Sequence, residues 1–464
     1  MRIKLVVSFV SIVVMLVCFT ASIAANDLSS QLDVSREEFA AFQVDPVFLE
    51  NREIAETHIN MLYSTFMSAR DGSVLYPDYF AGIYIDPAGN LVTVIVDEYL
   101  SNVDALRSSS TLSFIMGSNV KVESAEHSLN ELFAIHSDVS LFAKLNPTDR
   151  MAVNIQAVGI SISGNGVVVY LSDLCDEYIA AFKDYISDSS AIIFERSPIQ
   201  FPFPQYTFGS PPSSYYVGTE FCMETGLPLS AINALADRGD IPVVPLSNIT
   251  LRPGQRIYFR SPWSGHVDPR FSSIGFRARR FGTPGFVTST HGYVFHVRVG
   301  DFALVRDPSL NPWYPHFIHV GVVEDVAHWT TGRSPANDST FVRLLDNTIY
   351  VTRSLGNSLH TASPAQVIQH DMIFGLGGNS GAFNGFITDT HLTIPIMNNI
   401  VVVMTSAISA GGDSGGIVTS VRPSNPLIGI VRGAFGPTPT DTRGPMFFSR
   451  ATDAFWTHWL TEWW

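Results

Sequence analysis

Residues 251–464 are predicted to form an all-β unit, an antiparallel barrel or sandwich, behind an α+β unit over residues 26–195. Three observations lead there. From Arg252 onward, short apolar runs alternate with Gly, Pro and Asn and show almost no helical period: 255–259, 285–288, 293–299, 317–323, 341–345, 400–404 and 427–431. That is the pattern of many short strands joined by turns. In the front half, residues 83–96 (IYIDPAGNLVTVIV) and 160–171 (ISISGNGVVVYL) each read as a β-hairpin around a Gly/Asn turn, and a helical stretch over 177–186 follows the second. Finally, 46% of the 464 residues are apolar and only 15% are charged, with 34 Gly and 27 Pro. This is ample core material for two or three domains and excludes a wholly disordered chain.

The elements follow in order. Residues 1–25 have a basic start (Arg2, Lys4), an apolar run from Leu5 to Phe19 and small residues near Ala24, the pattern of a secretory signal peptide, with an uncleaved membrane anchor as the rival reading. No later run is long and apolar enough to span a bilayer. Ile83 and Ile160 are 77 residues apart, as are Gly89 and Gly166, so the two hairpins read either as an internal duplication or as coincidence. Residues 196–218 are rich in Pro, Ser and aromatics and read as an extended linker; with the ambiguous stretch that follows, this places a linker over 196–250. At the end, Phe455, Trp459 and Trp463 fall at i, i+4 and i+8, predicting a helix over 449–464 with one aromatic face packed on the body.

Charge is uneven. The chain carries −14, but residues 252–464 carry +3 and residues 26–251 carry −19. An acidic front beside a mildly basic back fits two parts that dock on each other, and equally a solubilising acidic segment. No basic nucleic-acid face is present. Of the three cysteines, Cys18 lies in the expected signal, so Cys175 and Cys222 allow at most one internal disulfide. The back half must fold on packing alone, which a unit of its size can do.

The strongest chemical signal is Gly411-Gly412-Asp413-Ser414-Gly415-Gly416. Acyl transfer by serine needs an exposed hydroxyl and backbone N–H donors aimed at the developing oxyanion. Gly412 and Ser414 would supply those donors, and the later glycines would leave room for substrate. The bland alternative is an ordinary Gly-rich hairpin loop. The second signal is His291, which directly follows the apolar run 285–288 and small residues, so that it can be presented as a general base. Among 13 histidines, with His296, His316, His319 and His328 nearby, it would be a poor candidate alone. The third is Asp338, which heads the alternating run STFVRL. An acid there can be buried at a strand edge, where it would orient an imidazole. Asp301, Asp307, Asp325 and Asp346 are rivals by composition, but none heads so clean a run.

Together these pieces resemble the chymotrypsin-like serine proteases. The order His, Asp, Ser matches, with spacings of 47 and 76 residues. The resemblance extends to Ser273-Ile-Gly-Phe276, to residues 377–387 (GGNSGAFNGFI), similar to a segment of the alpha-lytic protease and streptogrisin branch, and to residues 427–433 (LIGIVRG), similar to the strand that lines the specificity pocket. It covers roughly residues 250–464. It implies two six-stranded antiparallel β-barrels with the site in their cleft, a closing C-terminal helix and, in front, an α+β pro-region that assists folding and masks the cleft. It implies a secreted endopeptidase with His291, Asp338 and Ser414 as a catalytic triad, Gly412 and Ser414 as the oxyanion hole, and Val431, Arg432 and Gly433 against the substrate. It implies no metal or cofactor. The expected partners are polypeptide substrates and the chain's own pro-region in cis, and the expected state is a monomer.

Two departures matter. Gly292 stands where the family usually has a cysteine, so the disulfide beside the histidine is absent. No Ile-Val-Gly-Gly terminus is recognisable to pair with Asp413, so an internal group such as an arginine is expected to satisfy that acid. Ile408, six residues before Ser414, stands where trypsin-like members place an Asp, which argues for an uncharged substrate side chain. The alternative function is a non-catalytic homologue that binds or adheres. It is opposed by the intact triad and oxyanion glycines. An esterase on an α/β fold is opposed by chain order and by the absence of βαβ alternation.

Overall fold

The computed structural model describes residues 44–66, 76–101, 120–197, 249–262, 267–290, 297–306, 317–327, 337–345, 347–352, 367–395, 399–422, 426–435 and 443–463. The signal segment, residues 198–248 of the linker, Cys18 and Cys222 lie outside them. So do His291, His296, His316, His328, Asp307 and Asp346. Cys175 forms no disulfide among the described residues.

The front unit is built twice from one plan. Helix α1 (Pro46–Phe66) buries Phe48, Arg52, Ala55, Ile59, Leu62 and Phe66, an i+3/i+4 spacing that makes one continuous face. Strands β1 (Phe80–Ile85) and β2 (Leu91–Val96) form an antiparallel hairpin. The one-turn helix α2 (Asp97–Leu100) follows, and β3 (Lys121–Ala125) joins β2 in parallel. In the second copy, α3 (Leu129–Leu145) starts at Ser128, whose side chain accepts from the Glu131 N–H, half of a capping box. Helix α4 (Arg150–Asn154) is capped by Asp149. Strands β4 (Ile155–Ser161) and β5 (Gly166–Leu171) make the second hairpin. After helix α5 (Asp176–Tyr185), β6 (Ile192–Arg196) pairs in parallel with β5. Both expected hairpins are present. Each is completed by a third strand parallel to its second, a step that the hairpin patterns did not reveal.

The back unit is all β, as predicted. Strand β7 (Ile249–Leu251) pairs with β15 (Ile349–Val351). Strands β8 (Arg256–Arg260), β9 (Val267–Ser273), β10 (Phe276–Arg280), β11 (Thr283–Thr288), β12 (Phe302–Arg306), β13 (Phe317–Ala327) and β14 (Ser339–Leu344) form a curled half-barrel in the order β9-β8-β12-β13-β14-β11-β10. Of the expected run 293–299, residues 293–296 lie outside the described residues and 297–299 lead into a turn rather than a strand. Strands β16 (Met372–Gly377), β17 (Gly381–Ile394), β18 (Ile400–Ser409), β19 (Ile417–Ser420), β20 (Leu427–Ala434) and β21 (Gly444–Arg450) form a six-stranded barrel. It closes because β16 pairs with both β17 and β19.

Two seams position everything else. Phe276, Val287 and Phe341 of the half-barrel share one core with Phe374, Leu376, Ile417 and Ile430 of the closed barrel. The second seam joins front to back: β4 pairs with β17 at Val158–Thr393, so the closed barrel's sheet continues through β4, β5 and β6.

The C-terminal reading needs correction. Helix α6 spans only Ala451–His458. Trp459 adopts a left-handed conformation (φ 54°) and ends it, and β22 (Leu460–Trp463) then pairs with β10 at the edge of the half-barrel. The predicted aromatic stripe does not form. Phe455 packs on the core, but Trp459 is 66% exposed. The chain gains more by pairing the edge of β10 than by another helical turn, because an unpaired edge leaves backbone donors and acceptors open.

Candidate active site

The Gly-rich segment is the tight connection from β18 to β19. Gly412 and Gly415 have φ of 99° and 86°, a region open to glycine and strained for other residues. Space demands glycine too. A Cβ on Gly412 would lie 2.4 Å from the Phe271 ring, and one on Gly415 would lie 2.2 Å from Thr288 Oγ1. A Cβ on Gly416 would meet the Leu376 carbonyl oxygen at 2.3 Å. The glycines after Ser414 are therefore required by packing against β11 and β16 rather than by open room for a ligand.

Hydrogen bonds sew this loop to the half-barrel. The Ser414 carbonyl accepts from Ser273 N at 2.7 Å and from Ser272 Oγ at 2.6 Å. Ser272 Oγ is also 2.8 Å from Ser289 Oγ. The Gly412 carbonyl accepts from Ser273 Oγ at 2.8 Å. Position 289, two before His291, is thus one serine side chain away from the backbone of Ser414.

Asp413 is fully buried. Its Oδ1 accepts from the N–H groups of Asn379 and Ser380, both at 2.8 Å, and its Oδ2 accepts from Ala410 N at 2.8 Å. Among the described residues its partners are three backbone amides rather than the expected arginine. They come from the β16–β17 turn and from the loop itself, so the acid staples two loops together. A carboxylate held by several N–H groups is strongly fixed.

Asp338 is 1% exposed at the start of β14. The Oγ1 of Thr290, next to His291, donates to the carbonyl of Ser339, next to Asp338, at 2.6 Å, and is 2.9 Å from Thr340 Oγ1. The chain positions flanking 291 and 338 are therefore bonded to each other, whereas His291 itself lies outside the described residues. Arg432 Nε is 3.7 Å from Asp338 Oδ2, and the Ser414 hydroxyl faces the Arg432 carbonyl at 3.5 Å. Val431 exchanges backbone bonds with the loop: Gly415 N donates to Val431 O at 2.7 Å, and Val431 N donates to Gly416 O at 2.8 Å. Gly433 continues β20 beyond them. Ile408 sits on β18 opposite Pro445 and is 54% exposed.

The rival acids and histidines that are described have other duties. Asp301 accepts from Arg298 N in a turn, and burial raises its pKa. Asp325 Oδ2 lies 3.2 Å from His458 Nδ1 and 3.3 Å from Arg280. His458 Nε2 is 2.7 Å from Ser339 Oγ. This Ser339–His458–Asp325 line is buried and ties α6 to β14. His319 stacks on Phe302, and burial lowers its pKa. Sequence reading missed Ser272, Ser273, Thr290 and the side chain of Arg432. Only the Ser273–Phe276 resemblance hinted at the first two. Among the described residues, no group of three or more His, Cys, Asp or Glu side chains is arranged to hold a metal ion.

Comparisons with known proteins bear on both halves. Residues 46–125 match the family model of the Pro-like N-terminal domain, and residues 130–197 match that of the Pro-like C-terminal domain. The chain is also similar, over less than half of its length, to solved structures of proteases. Thermobifida fusca protease A is 20% identical, with a TM-score of 0.32, over 46% of this chain and 97% of that one. A Nocardiopsis protease is 22% identical, with a TM-score of 0.32 and the same coverage. A Cellulomonas bogoriensis chymotrypsin is 23% identical, with a TM-score of 0.30, again over 46% and 97%. No curated protein matches the chain in sequence. The front half is thus matched by two Pro-like domain models, and behind it a closed six-stranded barrel packs on a curled half-barrel.

Proposed function

We propose that the chain is a secreted serine endopeptidase made as a zymogen, with residues 1–25 as signal, 26–195 as pro-region, 196–250 as the processing linker and 251–464 as the catalytic unit. His291, Asp338 and Ser414 form the triad. The supporting observation is the convergence around Ser414: the Thr290–Ser339 bond, the Ser272 bridge from Ser289 to Ser414, and Arg432 touching both Ser414 and Asp338.

In this reading His291 takes the Ser414 proton as Oγ bonds to the scissile carbonyl carbon. The oxyanion forms against the N–H groups of Gly412 and Ser414. The tetrahedral adduct collapses, the C–N bond breaks, and His291 returns the proton to the leaving amine. Water then attacks the acyl-enzyme with His291 again as base, and Ser414 leaves with a proton. The backbone of Val431–Gly433 holds the substrate strand, and Ile408 favours an uncharged side chain. The molecule acts as a monomer on polypeptides outside the cell. No described helix is long and apolar enough to cross a membrane.

The test is labelling by a fluorophosphonate after processing. Wild type is expected to label at one site and Ser414→Ala not at all, with peptidase activity lower by several orders of magnitude. Equal labelling of both, or no labelling of processed wild type, would sink the proposal and favour a non-catalytic homologue.

A further inference from the structure

The structure assigns Arg432 a task beyond its strand: its guanidinium is the positioning partner of Asp338, and its charge sets the pH range in which the Ser414 site works. This rests on the serine protease reading above. Arg432 is 2% exposed, although it sits on the strand proposed to face substrate. Its Nε is 3.7 Å from Asp338 Oδ2, while Nη1 and Nη2 have no hydrogen-bond partner among the described residues. A guanidinium is costly to bury unless an opposite charge holds it. Burial pulls the Arg432 pKa down and the charge of Asp338 pulls it back up. The same residue presents its carbonyl to the Ser414 hydroxyl, and Gly415 and Gly416 lock its neighbour Val431. One residue therefore connects the acid and the nucleophile without passing through the histidine.

The other charged groups nearby are already engaged. Asp325 of β13, Arg280 of β10 and His458 of α6 bond among themselves and to Ser339. Glu324 lies 3.9 Å from Arg280. Asp413 is taken up by three amides. A carboxylate beside a general base makes that base hold its proton more tightly, and a fixed cation on the same carboxylate offsets part of that effect. With Arg432 in place, the base stays unprotonated to lower pH. Removal of Arg432 must shift the acid limb of reactivity upward.

The experiment measures the rate of fluorophosphonate labelling of the processed protein from pH 4 to 9, for wild type, Arg432→Ser, Arg432→Met and Arg432→Lys, with thermal melts to verify folding. The acid-limb midpoint is expected to rise by about one pH unit in the Ser and Met variants. It should stay near wild type in the Lys variant, whatever the plateau rates. If Arg432→Ser does not fold, the Met and Lys pair carries the comparison. Midpoints that coincide with wild type in the uncharged variants, or that move equally in Met and Lys, overturn the inference. A wild type that labels at no pH overturns the protease reading and this inference with it.

Discussion

Arg52 of the first helix grips Asp371 of the closed barrel with two bonds, Nε to Oδ1 at 2.8 Å and Nη2 to Oδ2 at 3.0 Å, and both side chains are fully buried. Asp371 also accepts from Arg422 at 2.7 Å and from Ser420 Oγ at 2.8 Å, and Arg422 reaches back to Glu56 of the same helix at 3.4 Å. The two guanidinium groups hold the Asp371 carboxyl well below the usual carboxylate range against the cost of its burial. The buried contact does not follow the net charges: the front supplies Arg52 and the back supplies Asp371, and the Arg422–Glu56 pair beside it runs the other way.

Removing Arg52 leaves a buried carboxylate with one arginine fewer. Breaking a buried ion pair in this way costs about 3–5 kcal/mol. Arg52→Ala should lower the urea midpoint of the full chain by a corresponding amount without altering the m-value of the transition. A midpoint within experimental error of wild type would show that the helix is held by its apolar face alone.

Asp413 makes the second prediction. Its carboxylate accepts three backbone N–H bonds. An Asn there keeps one acceptor oxygen and turns an NH2 group toward amide donors. Bonds to a buried charge contribute about 1.5–3 kcal/mol each. Asp413→Asn should therefore destabilise the back unit by about 3 kcal/mol and reduce fluorophosphonate labelling, because the Gly412–Ser414 backbone loses its staple. Unchanged labelling with unchanged stability would contradict this account.

Thr290 gives a third. Thr290→Val keeps volume but deletes the hydroxyl that bonds to the Ser339 carbonyl and meets Thr340. The site is fully buried, so the loss should cost about 1–3 kcal/mol. Thr290→Ser should restore most of both stability and labelling. If valine is as good as threonine in labelling rate, the bond between the two strands does not position the site.

The legibility of these features followed their range along the chain. Strand runs, both hairpins and the helix after the second hairpin were visible because alternation, turn residues and caps act over a few residues. The Gly-rich segment was legible because a left-handed backbone at Gly412 and Gly415 writes itself in glycine. Three features were not. The partner of Asp413 is made of backbone amides, which carry no sequence signature. The Arg52–Asp371 pair joins residues 319 positions apart. The end of α6 at Trp459 was decided by the edge of β10, a tertiary preference that overrode an i, i+4 spacing compatible with helix.

The junction of front and back carries the last prediction, a balance of opposed titrations. Where β4 meets β17, Asp389, His391 and His136 are packed together: His136 Nε2 donates to the Val158 carbonyl at 3.1 Å, and Asp389 accepts from His391 N at 2.6 Å. Arg450 lies 3.3 Å from His391 Nδ1, so a proton on that nitrogen would set two cations face to face. Burial, with help from Arg450 and His136, lowers His391 from 6.5 to about 3, and burial lowers His136 as well. Burial raises Asp389 from 3.8 to about 7. His136 and His391, depressed in the folded state, contribute stability that is present above pH 6.5 and is lost as pH falls, for His391 down to about 3. Asp389, raised in the folded state, contributes stability that is present below pH 3.8 and is lost as pH rises through 7. Between pH 6.5 and 4 Asp389 runs against the two histidines, so the urea midpoint of wild type should fall less steeply than the histidines alone would make it. Asp389→Asn removes one arm, and its midpoint should fall steadily from pH 6.5 to 4. His391→Gln keeps an acceptor for Arg450 and removes the other arm, so its midpoint should rise, or fall less than that of wild type, over the same range. Parallel pH profiles for the three proteins would show that the cluster does not titrate as a coupled junction.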